Sequence, residues 1–496
     1  MNLEEAKGKL MELIAKQSAF GQAMAMLHLD GSTVAPSNSF EGRGRTLSFL
    51  SGEVYKSFIN KDTDELLNFL LENKKELDDI TRRIAEEGRE EFDKTSKIPM
   101  EEFMKYMKLT NDANHVWEKA KLENDFPAFE PYLDEIVTTL KRFAEYRNPD
   151  KKPYDVFLDD FEKGYTMEDY DRFFSVLKEK VVPLIHDSIP KYKDVRDDFM
   201  KLSYPVDKQK ILTEKLIDIM KIDRNSFAWA ESEHPFTMGI NKRDVRFTTH
   251  FYEDNLASAI YSTIHEGGHA TYELNTADEL MYTGLDGGGS LGLHESQSRF
   301  YENIIGRSKE FTEYLYPFLK DLFPEQLADV CAKDLYNAVN KPEASLVRVE
   351  ADELTYSLHI MVRYEIERML FNGDVEVSEL SKVWKEKYQE YLGITPPDDT
   401  TGVLQDVHWS EGMFGYFPTY ALGSAISAQL TAHMEKEFDY KADVTKGDFS
   451  RINAWMTDKV HKHGELLKPK EIINYACGED FDPNYYCDYL IKKYLK

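Results

Sequence analysis

Residues 265–269 carry the chemistry that is easiest to read from this sequence, because their letters, HEGGH, match the pattern HExxH. The segment lies in a stretch of helical period, and residues four apart on a helix share one face, so His265 and His269 can bind one metal ion. Glu266 then projects beside that ion, where its carboxylate can take a proton from bound water. A chance match is expected in about one chain in a hundred of this length, so the pattern needs support from a third ligand.

A third protein ligand distinguishes a catalytic metal site from a chance match, since catalytic zinc keeps three protein ligands and one position for water. The residues after His269 lack the glycine and histidine of the metzincin pattern, so a downstream carboxylate must serve. The candidate is Glu295, in the sequence LHESQSR, and Glu273 and Glu302 are weaker ones. Glu273, four residues beyond His269, better suits a partner that orients an imidazole. His294, next to Glu295, is the main ambiguity.

Helices must position these residues. Apolar residues recur at three- and four-residue spacing through most of the chain, interleaved with Lys and Glu, which is typical of amphipathic helices. The pattern predicts a mostly α-helical protein. The predicted helices cover 3–29, 45–59, 64–92, 100–120, 130–146, 166–187, 206–220, 254–274, 294–306, 324–336, 344–370, 377–392, 419–436, 446–463 and 468–475.

The exception to the helical pattern is the region 226–251. Here β-branched and aromatic residues at 236–240 and 244–250 flank a turn-like connection at 241–243, which predicts a β-hairpin or a short sheet near the metal site. A loop is predicted at 395–402, TPPDDTTG, since its prolines forbid helix and its acids favour turns.

Composition narrows the partners and the compartment. The 496 residues include 62 Lys and Arg against 90 Asp and Glu, a net charge of −28 that repels phosphate backbones and anionic membranes. No run approaches the roughly 20 apolar residues of a membrane helix, and the opening letters, MNLEE, carry acid where a secretory signal carries base. Three cysteines without CxxC spacing predict neither a disulfide framework nor a cysteine zinc site. We therefore expect a cytoplasmic protein that binds neither nucleic acid nor membranes.

The domain organisation follows from the lack of linkers. A chain of this length can hold several domains, but no Pro-, Gly- or Ser-rich boundary and no internal repeat interrupts it. We therefore expect a single catalytic domain over residues 1–496. Its helical N-terminal half covers about 1–225, and the half with the metal site covers about 226–496.

Five motifs give the sequence a family resemblance. The letters HEGGH at 265–269, followed by HESQ at 294–297, resemble the carboxypeptidase Taq family of metallocarboxypeptidases. Three further stretches are similar to its motifs: DVRFT at 244–248 to DxRxT, VRVEAD at 347–352 to IRxxAD, and GVLQDVHW at 402–409 to GxxQDxHW. They follow the family's order, and the departure, Val for Ile, is conservative.

The resemblance implies a fold, an activity and a ligand set. The fold is a large multi-helix gluzincin fold with a deep groove, akin to neurolysin and angiotensin-converting enzyme, usually found as a homodimer. The activity is release of single C-terminal amino acids with broad specificity. Carried over by position, His265, His269 and Glu295 become the metal ligands and Glu266 the general base.

Further candidates serve the transition state and the substrate. Tyr420 is the candidate oxyanion donor because the family places a tyrosine of this segment at the site, and Tyr416 is the alternate. Arg348 is the candidate for binding the free α-carboxylate, with a buried ion pair that fixes helix packing as the alternative. His408 is a candidate donor to substrate backbone or oxyanion, with a structural histidine as the alternative.

The sequence thus favours a metal-dependent carboxypeptidase that acts on peptides with a free C-terminus. One divalent ion is expected, zinc by default, with cobalt or manganese as alternatives, since imidazole and carboxylate donors accept all three. The alternatives are a neurolysin-type endo-oligopeptidase and a non-catalytic helical scaffold that binds peptides. An aminopeptidase is disfavoured because no GxMEN-like motif for the amino terminus occurs.

Overall fold

Helices dominate the computed structural model, which describes residues 2–495. The first half of the chain forms α1 (Leu3–Thr33), α2 (Phe40–Phe58), α3 (Lys61–Glu72), α4 (Asp79–Ser96), α5 (Met100–Glu123), α6 (Phe126–Arg147), α7 (Pro153–Phe161), α8 (Met167–Tyr192) and α9 (Val206–Ile219). The second half forms α10 (Leu256–Leu274), α11 (Leu291–Arg299), α12 (Lys309–Leu322), α13 (Ala332–Val339), α14 (Glu353–Asn372), α15 (Leu380–Leu392), α16 (Pro418–Glu437), α17 (Tyr440–Val444), α18 (Ser450–Lys459), α19 (Pro469–Cys477) and α20 (Asn484–Tyr494). The predicted mostly helical fold is confirmed.

A small sheet follows α9 and precedes α10 along the chain. Its strands are β1 (Phe227–Glu231), β2 (Thr237–Asn241) and β3 (Asp244–Thr249), in the order β1-β3-β2. Strands β2 and β3 are the predicted antiparallel hairpin, while β1 pairs parallel with β3 and was not predicted as a strand. Val245 and Phe247 of β3 are fully buried, so the sheet forms part of the core.

Two of the differences between the predicted and the observed helices have local causes. The predicted helix 64–92 is two helices, because a 3-10 turn at Lys74–Glu76 interrupts it and the Asp78 side chain then caps α4 by accepting from Thr81. The predicted helix 344–370 begins only at Glu353, because the preceding stretch forms a short 3-10 turn, Arg348–Glu350. Arg348 therefore lies outside the long helix that was predicted to carry it.

The apolar core has two parts. The large one joins buried residues from α5 through α20 and the sheet. A smaller one joins α1, α3 and α4 with Leu280 and Leu285, which lie between α10 and α11. Among the described residues of α2, none is buried. The metal-site helices thus belong to the large core, and the segment that connects them belongs to the small one.

Within residues 2–495, none of the helices combines the length and the apolar composition that crossing a bilayer requires.

Candidate metal centre and active site

The three predicted metal ligands converge across two helices. His265 and His269 lie one turn apart on α10, and Glu295 lies on α11. The Nε2 atom of His265 is 3.7 Å from Oε2 of Glu295, and that of His269 is 3.6 Å from the same oxygen. One ligand atom from each residue lies within 4.8 Å of the others. Two imidazoles and a carboxylate at this spacing fit a divalent ion at about 2.0–2.2 Å from each donor.

Glycine allows the two helices to approach closely enough. A Cβ atom on Gly268, inside the HEGGH segment, would lie 2.8 Å from the carbonyl oxygen of Gln297 and 2.8 Å from Cα of Ser298 on α11. A Cβ on Gly423 of α16 would lie 2.7 Å from Cβ of Glu295. These contacts explain why a helix interior tolerates residues that weaken it by roughly 1 kcal/mol each relative to alanine.

His265 is oriented by Glu302, one of the weaker ligand candidates. Glu302 lies in a π-helical segment, Phe300–Gly306, that continues α11, and its Oε2 is 2.9 Å from Nδ1 of His265. Burial alone would raise the pKa of Glu302, but the bond to His265 and the charges of Arg299 and Arg307 lower it far below its usual value. Glu302 is therefore an anionic acceptor behind His265, and Nε2 of His265 remains free for the ion.

A second chain of hydrogen bonds lies behind His269. Its Nδ1 is 2.6 Å from Nδ1 of His294, whose Nε2 is 2.7 Å from Oε1 of Glu273. When Nδ1–H of His269 donates to neutral His294, and His294 donates in turn to Glu273, Nε2 of His269 keeps its lone pair for the ion. His294 and Glu273 thus lie behind a ligand, and Glu273 acts on His269 only through His294. The backbone N–H of Gly288 also donates to Glu273, at 3.1 Å.

The charge state of His269 suits a ligand. Burial lowers the pKa of His269 well below its usual value. An imidazole must be neutral to bind a metal ion, so this environment removes the competition with a proton.

Glu266 is held beside the ligands by the sheet. Its side chain is buried, with 6% exposure, and Oε2 accepts a 2.6 Å hydrogen bond from the hydroxyl of Thr237, at the start of β2. Burial raises the pKa of Glu266, although the bond from Thr237 and the charge of His265 oppose the rise. A general base works best when its pKa lies near the pH at which the enzyme operates. Thr237 was not foreseen, because its contact joins a strand and a helix 29 residues apart.

Tyr420 lies in the first turn of α16, and Tyr416 lies two residues before that helix begins. The hydroxyl of Tyr420 donates to that of Tyr416 at 3.3 Å, so the two hydroxyls are neighbours. Burial raises the pKa of Tyr416, and the charge of Glu295 adds to the rise.

The ring of His408 packs against Tyr416 and Phe417, with centroids 5.4 and 4.5 Å away. Burial lowers the pKa of His408 to about 4, so this imidazole is neutral at neutral pH, and its Nδ1 is buried without a protein partner among the described residues.

Arg348 is paired with an aspartate, Asp406. Its Nε and Nη2 lie 3.0 and 2.9 Å from Oδ1 of Asp406, and the residue is 7% exposed. Asp406 also accepts from Arg363, at 2.6 Å through Oδ2. The third guanidinium nitrogen of Arg348, Nη1, lies 3.4 Å from the hydroxyl of Tyr356. Two guanidinium groups therefore share one carboxylate, which leaves one positive charge over.

Comparison with known proteins shows which family the chain belongs to. The family model of the carboxypeptidase Taq (M32) metallopeptidases matches residues 9–494. Carboxypeptidase 1 of Bacillus subtilis strain 168 is 39% identical over 495 residues, which cover 100% of this chain and 99% of the relative. Thermostable carboxypeptidase 1 of Pyrococcus furiosus is 38% identical over 407 residues, 80% of each chain. The crystal structure of the M32 carboxypeptidase from Deinococcus radiodurans R1 superposes with a TM-score of 0.95 and 33% identity, and covers 99% of each chain.

These likenesses make the protein a metallocarboxypeptidase, a peptide hydrolase that depends on a metal ion. The chain belongs to the carboxypeptidase Taq (M32) family. The resemblance and the carboxypeptidase activity expected from the motifs are confirmed, and the endo-oligopeptidase and scaffold alternatives are not favoured.

Proposed function

We propose that the enzyme releases single C-terminal residues from peptides with broad specificity, through a divalent ion held by His265, His269 and Glu295 and with Glu266 as general base. The observation that carries the proposal is the convergence of two imidazole Nε2 atoms on one carboxylate oxygen, with Glu266 next in sequence to His265. Zinc is the proposed ion by default, and cobalt or manganese suit the same donors.

The bound ion supplies a Lewis acid that activates water and polarises the scissile carbonyl. Glu266 takes the proton of the attacking water and delivers it to the amine as the C–N bond breaks. Tyr420 donates a hydrogen bond to the oxygen that gains negative charge, with Tyr416 as the alternate donor 3.3 Å away.

Recognition of the free C-terminus falls to the arginine cluster. The surplus positive charge of Arg348 and Arg363 over Asp406 attracts the terminal carboxylate, and a guanidinium matches a carboxylate in shape. His408, kept neutral by burial, donates to the substrate backbone or to the oxyanion.

We also propose a domain organisation, a compartment and an oligomeric state for the enzyme. Residues 1–496 form one catalytic domain with a helical half at about 1–225 and a metal-site half at about 226–496, supported by the continuous family match. The enzyme acts in the cytoplasm as a homodimer on peptide substrates, and it binds neither nucleic acid nor membranes. The net charge of −28 supports the last point, and three cysteines unpaired among the described residues suit a reducing compartment.

The direct test is mass spectrometry of one peptide, supplied as free acid and as C-terminal amide, with metal-loaded and chelator-treated protein. We expect products shortened stepwise from the C-terminus, only with metal and only from the free acid. Internal cuts in both peptides would replace the proposal with an endo-oligopeptidase, and absence of cleavage across several peptides and metals would contradict it.

The role of Glu266 has its own test, Glu266→Gln. The amide cannot accept the proton of water, so we expect turnover to fall by about 10²–10⁴-fold. The ion should still bind with the stoichiometry of the wild type, measured by inductively coupled plasma mass spectrometry after dialysis. Full activity with metal bound would refute the assigned base.

A further inference from the structure

The metal ligand Glu295 has two carboxylate oxygens in different surroundings. Oε2 faces the two imidazoles, at 3.7 and 3.6 Å from their Nε2 atoms, and accepts from the hydroxyl of Ser298 at 3.0 Å. Oε1 accepts a 2.6 Å hydrogen bond from Nε of Arg299, four residues on. A charged donor therefore occupies the oxygen that does not face the imidazoles.

The same guanidinium reaches the partner of His265. Nη1 of Arg299 lies 3.4 Å from Oε2 of Glu302, the oxygen that accepts from Nδ1 of His265 at 2.9 Å. Oε1 of Glu302 accepts from a different arginine, Arg307, at 3.1 Å. Arg299 thus contacts both the carboxylate ligand and the acceptor behind a histidine ligand, whereas Arg307 contacts only the latter.

Packing fixes the guanidinium in this place. Cζ of Arg299 lies 4.4 Å from the ring centroid of Tyr356, a cation–π distance. The side chain of Arg299 is 15% exposed, and those of Glu295 and Glu302 are 8% and 11% exposed. With little solvent to replace a lost bond, the orientation of Glu295 depends on these donors.

We propose that Arg299 is a positioning residue that holds Glu295 as a one-oxygen ligand and so keeps a coordination position open for water. The inference rests on the proposed metal site. A carboxylate whose second oxygen is released can bind an ion through both oxygens, as carboxylates do at other metal ions. The added donor would take the place that hydrolysis needs for water.

The test compares Arg299→Gln and Arg299→Lys with Arg307→Gln, a matched control that removes a buried positive charge from Glu302 but no contact from Glu295. Lysine keeps the charge but, as a single point, cannot replace both Nε and Nη1. The readouts are the visible absorption of the Co²⁺-loaded proteins, metal affinity by competition with a chelator, and kcat and KM. Thermal unfolding of the metal-free proteins shows which variants fold.

Both Arg299 variants should bind one Co²⁺ but show weaker visible absorption, typical of a higher coordination number. Their kcat should fall by about 10–100-fold, with KM changed less than the kcat. Arg307→Gln should keep the wild-type spectrum. Wild-type spectra and kcat in Arg299→Lys would overturn the inference, as would the same spectral change in Arg307→Gln. Failure of the wild type to bind metal would instead overturn the proposed function. If Arg299→Gln does not fold, Arg299→Lys alone decides.

Discussion

The two imidazoles of the candidate centre, His265 and His269, differ in the hydrogen-bond partners of their Nδ1 atoms. Nδ1 of His265 meets the carboxylate of Glu302, whereas Nδ1 of His269 meets the imidazole ring of His294 and reaches Glu273 only through it. A carboxylate acceptor makes an imidazole a stronger donor to a metal ion than a neutral acceptor does. We therefore expect the two histidines to contribute unequally to metal affinity.

The contribution of His294 can be measured with His294→Ala. Without its acceptor, His269 loses the bond that fixes its ring, so we expect metal affinity or activity to fall by about 10–100-fold. Chelator competition and kcat measure the two effects. The control is Tyr272→Phe, which keeps the ring beside His294, 5.3 Å away between centroids, and loses only the acceptor for the N–H of Gly289. Wild-type affinity in His294→Ala would show that the ring of His269 is held by packing alone.

Arg348→Ala separates the two interpretations of that arginine. Asp406 keeps Arg363 as its partner in this variant, so we expect the fold to survive and the loss to appear in substrate binding. KM for free-acid peptides should rise by about 10-fold or more, since a charge-assisted bond contributes about 1.5–3 kcal/mol. Steady-state kinetics and thermal unfolding, measured together, check this. A lower unfolding temperature with unchanged KM would assign Arg348 to the structure alone.

At the residue scale, the sequence predicted what local spacing encodes. His265 and His269 share one helix face with Glu266 beside them, so a helical period and a motif predict these three, whereas Glu295 in the next helix is preferred over Glu273 and Glu302 through the family resemblance. Arg299 was within reach of the same reasoning, because it is four residues beyond Glu295. The partner of Arg348 was not, since Asp406 is 58 residues away in a loop whose path depends on the whole core.

At the scale of elements, the site depends on how closely α10, α11 and α16 cross. The positions of closest approach are glycines, and at Gly268 the neighbouring atoms belong to the backbone of α11 rather than to a flexible side chain. Backbone atoms yield less than side-chain ends, so these crossings fix the separation of the ligands.

Gly268→Ala tests the crossing of α10 and α11. The added Cβ would lie 2.8 Å from backbone atoms, so we expect a loss of about 1–3 kcal/mol in the free energy of unfolding. Urea unfolding of the metal-free protein measures it without interference from the ion. The control is Gly8→Ala on α1, where nothing lies within 4 Å of the new Cβ and a small gain of up to about 1 kcal/mol is expected. Equal effects at the two positions would contradict close helix packing at Gly268.

Element prediction failed at several helices and at one strand. Helices α7, α12, α17 and α20 were not predicted, and the stretch 324–336 was predicted as helix although helix α13 begins only at Ala332. Each of α7 and α12 contains a proline, which lowers the signal although the first turn tolerates it at Pro153. β1 was missed because its partner β3 follows β2 in the chain. A parallel pair is not joined by a tight turn, so the sequence between the two strands carries no turn signal.

At the scale of the whole molecule, Glu162 joins the two halves of the chain. It follows α7, is fully buried, and accepts from the hydroxyl of Ser290 at 2.5 Å and the N–H of Gly292 at 2.7 Å, at the start of α11. Burial raises the pKa of Glu162 to about 7, although both hydrogen bonds oppose the rise. A residue of the helical half thus holds the beginning of a ligand-bearing helix.

This pKa gives the stability a pH dependence. Between an unfolded pKa of 4.5 and a folded one of about 7, the folded protein binds more protons at Glu162 than the unfolded chain does. Stability therefore falls as the pH rises through this window, by at most about 1.4 kcal/mol per pH unit from this group, and levels off above it. Urea unfolding of wild type and Glu162→Gln from pH 5 to 8 measures the difference. Parallel pH profiles would show that Glu162 does not carry this dependence.

The segment between α10 and α11 connects the small core with the residues behind the metal ligand His269. Leu280 and Leu285 lie in the small core of α1, α3 and α4, and three residues later the N–H of Gly288 donates to Glu273, at the end of the chain of bonds behind His269. The small core is thus joined to His269 by the covalent chain from Leu285 to Gly288 and then by the hydrogen bonds that link Gly288, Glu273, His294 and His269. Because coupling is reciprocal, we expect metal binding at the centre and the packing of α1, α3 and α4, which contribute no ligand, to stabilise each other.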